Sequence, residues 1–330
     1  MCTVYLLIRF LFMQMALALV VGVFLSGVWL GPHVQAQQLD KTCKVCPSGW
    51  AVFDGRCYLF NMQEKEWIDA ERTCTSLGAN LASLRNARVL KFITDMIYTA
   101  TGSSKKTWVG GHDAVKEGLW LWSDGSHFAF KDWAKGEPNN EKEKEHCMEM
   151  NFKGKYVNDE SCSMKNSYVC AKDMIYGISS SCRCAPLWGV AWTPYKTCKV
   201  CPSGWAVFDG RCYLFNMQEK EWIDAELTCT SLGANLASLR DIRVLKFITD
   251  MIYTATGSSK KTWVGGHDAV KEGLWLWSDG SHFAFKDWAK GEPNNENGKE
   301  HCMEMNFKGK YVNDEKCSTK NSYVCAKDMI

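Results

Sequence analysis

The stretch Gly136-Glu-Pro-Asn-Asn-Glu-Lys-Glu-Lys-Glu-His-Cys147 returns 155 residues later as Gly291-Glu-Pro-Asn-Asn-Glu-Asn-Gly-Lys-Glu-His-Cys302. Outward from it the identity continues until Lys41 to Ile175 is matched by Lys196 to Ile330, with seven substitutions in 135 positions. The chain therefore carries two copies of one complete folding unit, each long enough to bury a hydrophobic core of its own. The quoted stretch closes a segment, Ser126 to Glu145, without helical or strand periodicity. A long irregular loop inside a compact unit tends to carry function.

Around that loop the elements are legible. Trp50 to Phe53 and Cys57 to Phe60 flank Asp54-Gly55 and read as a tight hairpin. From Glu64 to Leu77, Trp67, Ala70, Cys74 and Leu77 recur at helical spacing, and Gly78 ends the run. Asn86 to Tyr98 reads as a second helix with Val89, Phe92, Ile93, Met96 and Ile97 on its buried face. Thr107 to Gly110, Leu119 to Trp122, Cys147 to Phe152, Lys155 to Val157 and Ser167 to Ala171 read as strands, and Trp133 tethers the loop between them. Two helices followed by a strand-rich half make an α+β fold.

Before the first copy, Phe10 to Leu30 is almost wholly apolar and is followed by Gly31-Pro32 and Val34-Gln35-Ala36. The pattern predicts a signal peptide over 1–36, a retained anchor being the other reading. The expected organisation is a first domain over 37–175, a cysteine-containing linker with little structure over 176–195, and a second domain over 196–330. A net charge of +2 lacks the basic accumulation of a nucleic-acid binder, and after cleavage no membrane insertion is expected.

Each copy has seven cysteines, Cys182 and Cys184 lie between the copies, and Cys2 would leave with the signal. The sixteen that remain permit complete pairing in an oxidising, extracellular compartment. Cys43-x-x-Cys46 runs into Pro-Ser-Gly-Trp, a turn with no nearby histidine or second pair, so it reads as disulfide-forming and not as a zinc or redox motif.

Glu137, Asn139, Glu145, Asn158 and Asp159 offer carboxylate and amide oxygens from separate pieces of chain, repeated as Glu292, Asn294, Glu300, Asn313 and Asp314. Calcium accepts such mixed oxygen sets in a flexible shell of six to eight ligands. Two adjacent sugar hydroxyls can complete that shell, the carboxylates accepting their protons and the amides donating to their oxygens. An acid–base role for Glu137 and Glu145 fits poorly, since glycosidase chemistry needs one carboxyl kept protonated; no catalytic residue is assigned.

With these landmarks in place, each copy resembles the C-type lectin-like domain, particularly that of the short secreted lectins of fish. The resemblance rests on Cys57-Tyr58, Trp67, Cys74, Gly78-Ala-Asn-Leu-Ala-Ser83, Trp108-Val-Gly110, Trp120-Leu-Trp-Ser-Asp-Gly125, Trp133, Gly136-Glu-Pro-Asn139, Asn158-Asp159 and Val169-Cys170. It implies disulfides Cys46–Cys57, Cys74–Cys170 and Cys147–Cys162, repeated as Cys201–Cys212, Cys229–Cys325 and Cys302–Cys317. Cys43, Cys182, Cys184 and Cys198 stay unassigned, either stapling the linker or linking chains into an oligomer. The resemblance also places calcium on Glu137, Asn139, Glu145, Asn158 and Asp159 and on the five counterparts. All of these but Asp159 and Asp314 would also touch sugar.

In that family Glu-Pro-Asn goes with mannose-type sugars and Gln-Pro-Asp with galactose, and the bond before the proline is cis. The expected ligands are therefore mannose-type glycans on microbial or host surfaces, and innate recognition is the implied role. One departure from the family pattern and two differences between the copies stand out. Asp113 and Glu117 match an auxiliary calcium site of the family, but Asn140 and His146 replace aspartates there, which weakens or removes it. Lys142-Glu143 becomes Asn297-Gly298 inside the second loop, and Arg72, on a helix at a surface or interdomain position, becomes Leu227. Some relatives use this fold to bind protein or ice, and that is the alternative function.

Overall fold

The computed structural model of the chain describes residues 42–154, 156–178, 200–309 and 311–329. The expected signal peptide over 1–36, Cys182, Cys184 and Cys198 lie outside the described residues, as does the side chain of Cys43. Among the described residues no helix is long and apolar enough to cross a membrane.

The first half comprises β1 (Thr42–Val45), β2 (Ala51–Phe53), β3 (Arg56–Lys65), α1 (Trp67–Ser76), β4 (Asn80–Leu81), α2 (Ala87–Thr101), β5 (Thr107–His112), β6 (Leu121–Trp122), β7 (Cys147–Phe152), β8 (Tyr156–Glu160), β9 (Asn166–Asp173) and β10 (Ile175–Ile178). The second half repeats the plan with β11 (Ala206–Phe208), β12 (Arg211–Lys220), α3 (Trp222–Ser231), β13 (Asn235–Leu236), α4 (Ile242–Thr256), β14 (Thr262–His267), β15 (Leu276–Trp277), β16 (Cys302–Phe307), β17 (Tyr311–Glu315) and β18 (Asn321–Asp328). The architecture is the α+β one read from the sequence. Each half has a sheet ordered β2-β3-β9-β5-β7-β8 or its equivalent, in which β5 and β9 run parallel and the other neighbours antiparallel.

Local chemistry explains the boundaries. Asp54 and Gly55 both take positive φ, 47° and 78°, which is the turn that a two-residue hairpin requires. Asn86 caps α2 by accepting from the Val89 N–H, and Gly102 ends it in the left-handed conformation. Asp241, the substitute for Asn86, caps α4 through the N–H groups of Arg243 and Val244. Helix α1 starts at Trp67, later than its periodicity suggested, because β3 runs on to Lys65. Residues 176–178, expected to begin an unstructured linker, belong to β10, which pairs with β1.

Two apolar layers hold each half. Helix α2 buries Val89, Ile93 and Ile97 against Val109, Met148, Val157 and Val169 of the sheet. On the other layer Trp67 is fully buried and donates its indole N–H to the Val109 carbonyl at 2.8 Å. Among the described residues the disulfides are Cys46–Cys57, Cys74–Cys170, Cys147–Cys162, Cys201–Cys212, Cys229–Cys325 and Cys302–Cys317, the pairs that the resemblance implied.

The halves, which lie in one compact unit from Cys43 to Ile330, meet reciprocally. Val115, Leu119 and Leu121 of the first half pack with Trp222, Ile223 and Ala225 of the second, while Val270, Leu274 and Leu276 pack with Trp67, Ile68 and Ala70. Asn80 donates to the Gly280 carbonyl at 2.9 Å and Asn235 to that of Gly125 at 3.0 Å. Lys116 pairs with Glu221 at 2.8 Å and Lys271 with Glu66 at 2.6 Å. The rings of His112 and His267 stack across the join, centroids 5.5 Å apart. The same patch contacts itself, the isologous arrangement usual in symmetric dimers, here formed within one chain. Leu227, the substitute for the exposed Arg72, joins the cluster that receives Leu121, so the substitution is an interdomain one.

Candidate functional site

The long loop is anchored before it reaches the candidate oxygen ligands. Trp133 bridges to Val157 and packs on Trp120 and Phe130, and the Ala134 N–H donates to the Val157 carbonyl at 2.9 Å. The loop therefore runs beside β8, which carries Asn158 and Asp159. Both Glu137–Pro138 and Glu292–Pro293 are cis.

Asp159, fully buried, is the hub. Its carboxylate accepts the backbone N–H of Asn139 at 3.1 Å and of Asn140 at 2.7 Å. Glu145 accepts the Glu141 N–H at 2.9 Å, and its own N–H donates to the Asn140 side-chain oxygen at 3.0 Å. In the sheet register Met148 faces Asp159 and Glu149 faces Asn158, which fixes the direction of both loop ends. The second half repeats this through Asp314, with 3.1 Å and 2.7 Å to the N–H groups of Asn294 and Asn295 and 3.1 Å from the Glu296 N–H to Glu300.

Electrostatics mark the cluster as short of positive charge. Burial, followed by the adjacent Asp159 carboxylate, pushes the Glu137 carboxyl up from its ordinary range. Glu145 is pushed up by burial too, with Asp159 and Glu160 adding to it. Glu137 Oε2 and Asn158 Oδ1 are buried without a hydrogen-bond partner among the described residues, and Glu292 Oε2 repeats the first of these. Orphaned buried oxygens among crowded carboxylates fit a hard divalent cation, which would satisfy the oxygens and cancel the repulsion. Asn139 presents its backbone to Asp159 and has an exposed side chain.

One supporting residue escaped the sequence reading. Glu149 is fully buried, pairs with Lys106 at 2.9 Å, and accepts the side-chain amides of Asn158 at 3.3 Å and Asn166 at 3.1 Å. With its amide nitrogen occupied by Glu149, Asn158 turns its oxygen the other way. The available signal was a lone charge in the apolar strand Cys147-Met-Glu-Met150.

The loops of the two halves differ in strain. Lys142 and Glu143 hold φ of 58° and 56°, a conformation that L side chains resist, whereas the second half puts Asn297 and Gly298 at 59° and 65°.

Comparison with known proteins bears on this site. The family model described as "Lectin C-type domain" matches residues 63–172 and 218–327. The chain is 46% identical over 141 residues to the galactose-specific lectin nattectin of Thalassophryne nattereri, a match covering 43% of this chain and 89% of that protein. Ladderlectin of Oncorhynchus mykiss is 44% identical over 118 residues, 36% of this chain and 62% of its own length. C-type mannose receptor 2 of Homo sapiens is 29% identical over 275 residues, 82% of this chain but 18% of the receptor. Among solved structures, herring type II antifreeze protein aligns at 34% identity and a TM-score of 0.36, covering 39% of this chain and 98% of that one.

Proposed function

Because the chain belongs to the Lectin C-type domain family in both of its halves, we propose that it is a secreted, calcium-dependent lectin with two mannose-type sites. The family is a carbohydrate-binding, non-enzymatic one, of which the galactose-specific lectin nattectin is an example. We assign the sites to Glu137, Asn139, Glu145, Asn158 and Asp159 and to Glu292, Asn294, Glu300, Asn313 and Asp314. The domains are taken as 37–175 and 196–330, following a signal peptide over 1–36.

The observation that carries the reading is the buried, unpartnered Glu137 oxygen beside an Asp159 that already holds two loop N–H groups. Bound there, calcium would supply a positive centre whose open positions accept two adjacent sugar hydroxyls. The chain's own groups do the rest: Glu137 and Glu145 accept hydroxyl protons, the Asn139 amide and the second N–H of the Asn158 amide, whose first is held by Glu149, donate to hydroxyl oxygens, and the disulfide Cys147–Cys162 keeps the loop end that carries Glu145 beside the end of β8. Mannose-type preference is inferred from the Glu-Pro-Asn order in both loops. Each contact is small, so useful affinity comes from two sites on one chain meeting repetitive glycans such as those of microbial surfaces.

A galactose preference is the second reading, favoured by the name of nattectin, 46% identical to one half. Retention of the disulfide-bonded protein on immobilised mannose in calcium, with elution by free mannose, free galactose or a chelator, tests both. Release by mannose and chelator supports the proposal. Failure to be held on mannose together with calcium-dependent retention on immobilised galactose transfers it to the second reading, and retention untouched by every eluent, or on neither matrix, refutes a calcium–sugar site.

A further inference from the structure

We propose that Asp113, Glu117 and His146, with Asp268, Glu272 and His301 in the other half, form a second metal site that takes a borderline transition ion of the zinc class and not calcium. In each half one ligand atom from each of the three residues lies within 4.8 Å of the others. His146 Nδ1 is 3.1 Å from Asp113 Oδ1 and 3.4 Å from Glu117 Oε2, and His301 stands at the same two distances from Asp268 and Glu272. Zinc bonds of about 2.0–2.1 Å to nitrogen and oxygen put neighbouring ligands of a tetrahedron ~3.3 Å apart. The imidazole-to-carboxylate edges have that spacing.

Ligand type decides against calcium. Calcium wants six to eight oxygens, whereas an imidazole nitrogen with two carboxylates suits zinc and leaves a fourth position for water. The donors are also held in place. Asp113 is buried, and its other oxygen accepts the Gly118 N–H at 2.8 Å, so Oδ1 faces His146. The Asp113 N–H donates to the His146 carbonyl at 3.1 Å, which ties the end of β5 to the end of the long loop. Glu117 is steadied by a hydrogen bond from the Asn140 side-chain amide. Supporting hydrogen bonds of this kind orient metal ligands. A lone Nδ1–H can point fully at only one of the two carboxylates, whereas a metal on Nδ1 engages both.

Titration of the full, disulfide-bonded chain with zinc chloride in saturating calcium, followed by calorimetry and elemental analysis of the dialysed protein, tests this. Two zinc ions per chain are expected, one for His146→Gln or His301→Gln alone, and none for the double variant. Cobalt in place of zinc should give the strong visible absorption of a low-coordinate site, lost in the double variant. Near-ultraviolet circular dichroism checks that the variants fold, and Glu117→Gln, at an exposed position, should weaken binding independently of the histidine. Absence of zinc binding in calcium, equal binding by the double variant, or displacement of zinc by calcium would each overturn the proposal. None of these readouts involves sugar, so the site stands or falls apart from the lectin reading.

Discussion

Gly125 has φ of +71°, and a Cβ placed there would lie 2.9 Å from Asp279 Cα and 2.9 Å from the Ser278 carbonyl oxygen, backbone atoms of the other half. Gly118 has nearly the same backbone, φ +76°, but nothing within 4 Å of an added Cβ. Gly118→Ala therefore carries only the left-handed strain, on the order of 1–2 kcal/mol. Gly125→Ala carries that strain plus the overpacking of two backbones, roughly a further 1–3 kcal/mol. The excess falls on the junction, since the α2 layer and its counterpart form apolar clusters of their own and the disulfides close each half within itself. Gly125→Ala combined with Gly280→Ala should thus release the halves from one another while each stays folded. Solution X-ray scattering should record a larger radius of gyration for that variant than for Gly118→Ala, and hydrogen exchange should quicken at Leu121, Trp222 and Leu276. If scattering and exchange match those of Gly118→Ala, the reciprocal interface is not the one present in solution.

Three further outcomes are expected. Burial pushes the carboxyls of Glu71 and Glu226 up to about 7 from an ordinary 4.5, so the stabilisation tied to their protons is complete below about 4.5 and lost as pH rises through 7. In Glu71→Gln/Glu226→Gln the unfolding free energy relative to the native chain should improve between pH 4.5 and 7 by on the order of 3 kcal/mol per glutamate, and parallel denaturation curves across that range would refute the burial argument. Glu143→Gly relieves a left-handed residue at φ 56° and should raise calcium affinity of the first half by about fivefold toward that of the second, if the ~1 kcal/mol of strain is borne by the bound loop; unchanged affinity by calorimetry would place the strain equally in both states. Glu137→Ala should abolish one sugar site and leave the other, so retention on a sparse mannose matrix should survive while agglutination, which needs two sites, is lost; agglutination at native strength would show that the first site is idle.

Much of each half was legible because its determinants are local. The Asp54-Gly55 turn, the caps Asn86 and Gly102, and the helical spacing of Val89, Ile93 and Ile97 act over a few residues, and the structure follows them. The candidate oxygen set could be picked out by residue type, since Glu, Asn and Asp flanking a half-cystine limit the chemistry they can serve. Its geometry was not: that Asp159 holds two loop N–H groups and that Glu149 turns the Asn158 amide depend on the β7–β8 register. Leu119-Trp-Leu-Trp122 shows the limit most plainly. It reads as one strand, yet only Leu121–Trp122 pairs, and Leu119 and Leu121 leave their own half to pack around Trp222. Alternation reveals that a face is apolar but not what covers it, and in a chain that states its sequence twice either copy could serve. Sequence by itself determined two α+β units, each with the same carboxylate and amide side chains about its long loop, and the resemblance to C-type lectin-like domains supplied the cysteine pairs. Tertiary structure alone decided that each unit completes the other's second core, because only close approach of distant backbones can match Gly125 to Gly280 and His112 to His267.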